Sequence, residues 1–151
     1  MNDIDWKNDR IIITPINLYM EYLLLSYNDY LLNKLKDIEI THGELTYIYN
    51  IKYFSSISQR ELAEKLYVSE ANVTKMIKKL VNKGLVKKTK DKTNKSRNLL
   101  SLTDKGEELF EKINIVTCGW ERDITKNFSN EKYFDFKQKL YKLVKESVNL
   151  G

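Results

Sequence analysis

The fold of this chain is decided by residues 58–90, which read SQRELAEKLYVSEANVTKMIKKLVNKGLVKKTK. Ser58 and Glu61 have the spacing of a capping box and predict the start of a helix. Ser69 predicts the N-cap of a second helix, which Gly84 ends. The connection between these two helices is very short, as a helix-turn-helix requires.

A β-hairpin with a basic tip is predicted directly after the second helix. Residues 85–89 have the pattern of a short strand, the polar residues 91–96 predict a turn, and residues 97–102 predict the return strand. Basic side chains gather on this projection: Lys87, Lys88, Lys90, Lys92, Lys95 and Arg97. A hairpin this short gains little stability as a unit of its own, so we expect it to rest on the helices and to grip DNA.

The second helix has an apolar side and a polar side when its residues are placed about 100° apart. The apolar side predicts a core seam: Val73, Met76, Ile77, Leu80 and Val81. The other side and its flanks carry the residues that we predict to bind DNA: Ser69, Ala71, Asn72, Thr74, Lys75, Lys78, Lys79 and Asn82. Lysine suits phosphates or guanine acceptors, asparagine pairs with adenine, and threonine or alanine contacts the thymine methyl group.

A lysine-rich helix face is often only a solvated surface, and the neighbouring basic hairpin is what favours DNA binding. From the hairpin we predict a second set of DNA-binding residues: Lys90, Lys92, Asn94, Lys95 and Arg97. The charge distribution agrees with this interpretation. Residues 58–105 contain 13 Lys/Arg against 5 Asp/Glu, a local net charge of +8, whereas the whole chain carries +5. A basic centre between acidic arms is typical of a phosphate-binding module carried on another structure.

Amphipathic helices are predicted on both sides of this centre. After a loose arm at residues 1–13, Thr14 predicts an N-cap and Pro15 the first position of a helix that continues to about Lys36. Its apolar stripe comprises Ile16, Met20, Leu23, Leu24, Tyr27 and Leu31. Thr41 and Glu44 form a second capping box, which predicts a helix at about 42–51.

Two long helices are predicted after the hairpin. The first begins at residues 103–106 and continues to about Phe128, and Ser129 caps the second, at about 130–148. Their apolar stripes comprise Leu109, Ile113, Val116, Trp120, Ile124 and Phe128 in the first, and Tyr133, Phe134, Phe136, Leu140, Leu143 and Val144 in the second. A small DNA-binding module cannot cover this much apolar surface, so we expect a partner chain. An intramolecular helical hairpin is the alternative.

We therefore predict a mainly α fold with a small β-hairpin wing, a winged helix-turn-helix with long N- and C-terminal dimerisation helices. The chain of 151 residues forms a single domain in this prediction. Residues 1–36 and 104–151 are its helical dimerisation region, and residues 37–103 are its DNA-binding lobe.

Several blocks of sequence resemble the MarR (multiple antibiotic resistance regulator) family over residues 57–109. They are Ser58–Leu66, Val68-Ser69, Val73-Thr74, Leu80, Lys83–Val86 and Ser101–Gly106. The resemblance implies a homodimer whose DNA-reading helix starts at Ser69 and whose wing is 91–97, with the first and the last two helices at the interface. It further implies transcriptional regulation, commonly repression, and in many members the release of DNA on binding a small aromatic effector.

The wing departs from the usual family pattern at one point. Asp91 fits the acid at the start of the wing, but where Asp followed by Arg is common this chain has residues 94–96, Asn-Lys-Ser, with Arg97 one place late. Either Lys95 or Arg97 is therefore the residue that enters the minor groove. Arginine suits a narrow groove better because it is less strongly hydrated than lysine.

Other function classes find little support. The chain has one histidine, His42, and one cysteine, Cys118, and no Ser/His/Asp or Cys/His catalytic set is visible around them. The sequence also shows no glycine-rich phosphate loop and no metal-binding cluster. We therefore predict neither an enzyme nor a cofactor. Cys118 is either inert packing or, less simply, a redox sensor. The main rival is a winged-helix module that binds protein instead of DNA, which would show apolar anchors on the second helix.

The remaining predictions concern ligand and location. Tyrosines cluster in the first two helices, where they either line an effector pocket or pack as core and interface aromatics: Tyr19, Tyr22, Tyr27, Tyr30, Tyr47, Tyr49 and Tyr53.

No apolar run approaches the ~20 residues that span a bilayer. The acidic N-terminus lacks a signal-peptide pattern, so we predict a cytoplasmic protein whose partners are double-stranded DNA and a second copy of itself.

Overall fold

The computed structural model describes residues 13–36, 38–95 and 97–150, so the predicted arm lies outside the described residues except for Ile13. Its elements are α1 (Ile16–Lys34), α2 (His42–Phe54), β1 (Ile57–Ser58), α3 (Gln59–Leu66), α4 (Glu70–Asn82), β2 (Val86–Lys90), β3 (Asn98–Leu102), α5 (Asp104–Ile124) and α6 (Asn130–Val148). The predicted class, mainly α with a small β wing, is confirmed. The chain forms two compact units that divide within α5, after Val116. The predicted lobe boundaries stay a prediction.

The predicted helix caps are confirmed at four helices. Both capping boxes form completely, at Thr41 for α2 and at Ser58 for α3. The Ser69 hydroxyl accepts from the Asn72 amide at the start of α4, and Ser129 caps α6 in the same way. These bonds form because the first amides of a helix have no partner within the helix.

The start of α1 and the end of α5 differ from the prediction. Pro15, not Thr14, is the N-cap of α1: its ψ of 142° keeps it outside the helix, while its carbonyl accepts from the Leu18 amide at 3.1 Å. Helix α5 ends at Ile124, before the predicted Phe128. Beyond that end, the Phe128 amide donates to the Thr125 carbonyl at 2.8 Å, a tighter turn than an α-helix makes.

The sheet contains a third strand that the sequence did not predict. The strand order is β1-β3-β2, and both pairings are antiparallel. In β1, Ile57 pairs with Leu100 and Ser58 with Leu99. A strand of two residues is too short to show an alternating pattern, and its second residue is also the N-cap of α3. The hairpin therefore attaches to the start of α3.

The core lies where α2, α3, α4 and the sheet meet the start of α5. The fully buried apolar side chains include Ile48, Leu62, Val73, Ile77, Leu80, Leu100 and Ile113. The predicted seam of α4 is correct for three of its five members, because Met76 is only partly buried and Val81 is 37% exposed. Along α1, Leu31 is the one buried member of the predicted stripe, and no residue of α6 is buried.

Candidate nucleic-acid interface

Helix α4 presents its predicted DNA-binding residues to solvent. All of them are exposed: Ser69, Ala71, Asn72, Thr74, Lys75, Lys78, Lys79 and Asn82. The opposite side of the helix is fixed in the core by Val73, Ile77 and Leu80, each with 0% exposure. Because the seam fixes the rotation of α4 about its axis, the polar face points away from the protein as a groove-reading helix requires.

The exposed face of α4 is partly committed to contacts within the protein. The Thr74 hydroxyl accepts a hydrogen bond from Nε2 of Gln59 in α3 at 3.0 Å. This bond ties the first helix of the helix-turn-helix to the second. Within the described part of the chain, the ammonium groups of Lys75 and Lys78 make no ion pair, so they are available to phosphates.

Lys79 differs from these two lysines because it is held by a buried carboxylate. Glu44 of α2 has 0% exposure, and its Oε1 lies 3.3 Å from Nζ of Lys79 and 2.8 Å from Nζ of Lys83. Burial raises the pKa of Glu44, but hydrogen bonds from Lys83, Thr41 and Lys79 outweigh burial and lower the pKa from its ordinary value of 4.5 to about 2. The carboxylate therefore stays charged and connects α2 to the C-terminal half of α4.

The wing carries its lysines at the tip and its arginine at the base. Lys90 ends β2, and Lys92, Asn94 and Lys95 lie exposed in the turn between the strands. The carboxylate of Asp91 accepts from the amide (2.8 Å) and the hydroxyl (2.7 Å) of Thr93, which lowers the pKa of Asp91.

Arg97 is paired inside the protein. Its Nη2 lies 2.5 Å from Oε1 of Glu61 in α3, and its Nη1 lies 3.9 Å from Oδ2 of Asp91. Hydrogen bonds from the Ser58 amide, from Arg97 and from the Ser58 hydroxyl lower the pKa of Glu61 to about 2. The Glu61 carboxylate in turn raises the pKa of the Arg97 guanidinium. Of the two candidates for the minor groove, Arg97 is the one already engaged.

Sequence reasoning identified Glu44 and Glu61 only as capping residues. Each also binds a cation far along the chain, Lys83 for Glu44 and Arg97 for Glu61. A capping box is visible as a three-residue spacing, but the second partner depends on how the helices and the wing pack. No signal in the sequence pointed to these pairs.

The other residues that the sequence singled out are spread over the described structure. Tyr47 is buried, whereas Tyr49 packs edge-on against Phe110 with ring centroids 5.5 Å apart. A cleft of about 360 Å³ is lined by none of the tyrosines: its walls are Ile38, Glu39, Lys83, Leu85, Lys105, Glu108, Leu109 and Lys112. Cys118 is exposed, and His42 is the first residue of α2.

The described residues contain no group of three or more His, Cys, Asp or Glu side chains placed to hold a metal ion. Among the helices formed by the described residues, none has the length and apolarity to cross a membrane.

Comparison with known sequences points to one family. The model described as the MarR family matches residues 40–96. The HTH-type transcriptional regulator BilQ of Clostridioides difficile is 27% identical over 107 residues, which are 71% of this chain and 72% of that protein. The HTH-type transcriptional repressor MdtR of Bacillus subtilis is 26% identical, with 71% of this chain and 69% of that protein covered.

Comparison with solved structures shows the same fold. A MarR transcriptional regulator from Methanosarcina mazei aligns with a TM-score of 0.79 at 20% identity, covering 90% of this chain and 98% of that one. A mutant of MarR from E. coli, solved in complex with operator DNA, aligns with a TM-score of 0.69 at 22% identity, covering 91% of this chain and 99% of that one.

Proposed function

We propose, from the match of residues 40–96 to the MarR family model and from relatives named HTH-type transcriptional regulators, that this chain is a sequence-specific DNA-binding regulator of transcription. The observation that carries the proposal is the exposed face of α4, whose Lys75 and Lys78 are unpaired among the described residues, beside a wing with exposed lysines at its tip. The similarity to transcriptional regulators supports the regulatory role, and this surface supplies the chemistry for reading DNA.

In this proposal α4 enters the major groove. Lys75 and Lys78 bind phosphates or guanine, and Asn72 and Asn82 are the candidates for adenine contacts. The wing lies along the adjacent minor groove with Lys95 in it, because the guanidinium of Arg97 is paired with Glu61. Lys79 contributes less to DNA binding than Lys75 or Lys78, since Glu44 already binds its ammonium group.

We propose a homodimer on a pseudo-palindromic operator. The support is the apolar surface that α1 and α6 leave exposed. On α1, Ile16 is 61%, Met20 53% and Leu24 51% exposed. On α6, Phe134 is 64% and Leu143 53% exposed. A two-fold dimer places its two recognition helices about one DNA turn apart, ~34–36 Å.

Repression and effector release complete the proposal. Repression is supported by the relative from Bacillus subtilis that is named a repressor. Release by a small aromatic effector is supported by the MarR-family residues and by the cleft of about 360 Å³ beside Leu85 and Leu109, a volume within the range of small-molecule sites. A ligand there would contact Lys83, which ends α4.

Charge reversal on α4 tests the docking model. The double variant Lys75→Glu/Lys78→Glu should lose DNA binding while keeping its oligomeric state, because both side chains are exposed and outside the core. The measurement is fluorescence anisotropy of a labelled duplex from the region upstream of this chain's own gene, at two salt concentrations, against a scrambled duplex. The control is Lys126→Glu/Lys132→Glu, which makes the same charge change outside the helix-turn-helix and the wing, after the end of α5 and in α6. This variant should bind DNA as wild type does.

The outcomes separate the proposals. Tight, salt-sensitive binding that prefers the upstream duplex supports a sequence-specific regulator. Unchanged binding by the α4 variant would refute the docking of α4. A wild-type protein that binds neither duplex at low salt would refute DNA binding and favour a winged-helix module that binds protein.

A further inference from the structure

The wing and the helix-turn-helix share one carboxylate that makes two different contacts. Oε2 of Glu61 accepts hydrogen bonds from the Ser58 amide at 2.9 Å and the Ser58 hydroxyl at 2.8 Å, which caps α3. Oε1 of the same residue lies 2.5 Å from Nη2 of Arg97. The start of α3 and the end of the wing are therefore held by a single side chain.

Arg97 also closes the turn of the wing. Its amide donates to the Asn94 carbonyl at 2.9 Å, and its carbonyl accepts from the Asp91 amide at 3.0 Å. These bonds bracket the turn that carries Lys92 and Lys95. A contact that holds Arg97 against α3 therefore also holds the turn, and with it the backbone of Lys92 and Lys95.

A related arrangement occurs in α2. Oε2 of Glu44 accepts from the Thr41 amide at 2.7 Å and from Nζ of Lys83 at 3.1 Å, and Oε1 lies 2.8 Å from the same Nζ. In both capping boxes the carboxylate that caps the helix also holds a cation, Arg97 in the wing or Lys83 at the C-cap of α4. The helix and the wing are thus each attached to the rest of the lobe through a capping glutamate.

We propose that Glu61 is a positioning residue for DNA recognition, which acts through Arg97 to hold the wing where it and α4 reach the same DNA site together. The inference rests on the proposed function. Specific binding needs both elements in place at once, whereas non-specific binding needs only phosphate contacts. Loss of the Glu61 charge should therefore reduce the preference for operator over scrambled DNA.

Glu61→Gln separates positioning from capping. Glutamine at this position still completes a capping box, so α3 keeps its start while the charge opposite Arg97 disappears. Glu64→Gln is the matched control: it removes the same charge from the same helix, where Glu64 pairs only with Arg60 of α3, at 3.1 Å among the described contacts. Both variants are made in the full chain.

The first measurement is the dissociation constant for the scrambled duplex divided by that for the upstream duplex, which expresses the preference for the upstream duplex. We expect this ratio to shrink about threefold to fivefold in Glu61→Gln, the scale of a half-exposed ion pair, and to stay unchanged in Glu64→Gln. Arg97→Gln should show at least the same loss. The double variant should lose no more than Arg97→Gln alone, because contacts that act through one another are not additive.

The second measurement needs no DNA. Amide hydrogen exchange at Asp91 and Arg97 should be faster in Glu61→Gln than in wild type or Glu64→Gln, because the turn loses its attachment to α3. Unchanged exchange, or an unchanged ratio of dissociation constants, would overturn the inference. A wild-type protein that does not distinguish the two duplexes would refute the proposed function itself, and with it the role assigned to Glu61, before any variant is compared.

Discussion

Glu44 is the one buried charged residue among the residues that the structure describes. It has no exposed surface, yet its pKa lies well below the ordinary value because Lys83, Thr41 and Lys79 all donate to it. Breaking such a site by removing one partner is costly, since a buried charge without partners is unfavourable. Protonation of Glu44 at low pH would therefore weaken the contacts that hold α4 against α2.

The depressed pKa of Glu44 predicts how stability depends on pH. A carboxylate that titrates near 2 when folded and near 4.5 when unfolded stabilises the fold above pH 4.5, and this contribution is lost as the pH falls toward 2. Glu44→Gln lacks this contribution, so the free energy of unfolding of wild type should exceed that of the variant by on the order of 3 kcal/mol at pH 7 and by much less near pH 2.

Urea denaturation of both proteins at pH 7 and pH 3 checks this expectation. The control is Glu39→Gln, which removes an exposed carboxylate from the segment before α2. A gap between wild type and Glu44→Gln that stays the same at both pH values would show that the charge of Glu44 is not what stabilises the fold.

At the scale of the elements, the start of α5 is fitted tightly against the segment that leaves α4. The Thr103 hydroxyl donates to the Gly84 carbonyl at 2.6 Å and accepts from the Gly106 amide at 3.1 Å. A Cβ on Gly106 would lie 2.1 Å from the carbonyl oxygen of Leu85. Only glycine lets α5 approach this backbone so closely, and Gly84, at φ +70°, makes the turn that brings the backbone there.

Gly106→Ala should therefore destabilise the protein by about 1 to 3 kcal/mol, the scale of overpacking in a core. Gly43→Ala is the matched control. Its Cβ would meet only Met76 at an ordinary 3.6 Å, and alanine favours a helix over glycine by up to about 1 kcal/mol. Thermal unfolding should show opposite shifts for the two variants, and equal shifts would contradict the close approach of α5 to Leu85.

At the scale of the whole molecule, exposed apolar surface is the feature that a lone chain does not explain. Every residue of α6 is at least partly exposed, including Phe134 at 64% and Val148 at 56%. Large apolar patches on a protein surface mark interaction sites. Together with the exposed stripe on α1, they support the proposed association of two copies of this chain.

Leu140→Glu on α6 should weaken this association. A charge placed in an apolar interface loses its hydration without gaining a partner, so we expect the variant to shift toward monomer at micromolar concentration. Light scattering after size exclusion should give twice the 17.9 kDa chain mass for wild type and less for the variant. Gln138→Glu, on the same exposed helix, should behave as wild type, and a monomeric wild type would refute the dimer.

The sequence by itself determined the local structure of this protein. The capping boxes at Thr41 and Ser58, the cap at Ser69 and the turn at Gly84 are set by residues within a few positions of one another, because capping bonds and turns close within one turn of chain. The winged-helix class followed from these same short spacings, and the resemblance to the MarR family was carried by blocks of sequence in the same region. The exposed face of α4 could likewise be predicted, since helical periodicity separates its lysines from Val73, Ile77 and Leu80.

Only the tertiary structure decided which distant residues meet. The pairing of β1 with β3, the partial exposure of Val81, and the capture of Lys79 by Glu44 and of Arg97 by Glu61 all depend on how separate elements pack. A lysine or arginine has the same pattern in the sequence whether it faces solvent or a carboxylate. Which cations remain free for DNA is therefore a property of the packing, because a buried or half-buried carboxylate binds whichever cation the fold brings to it.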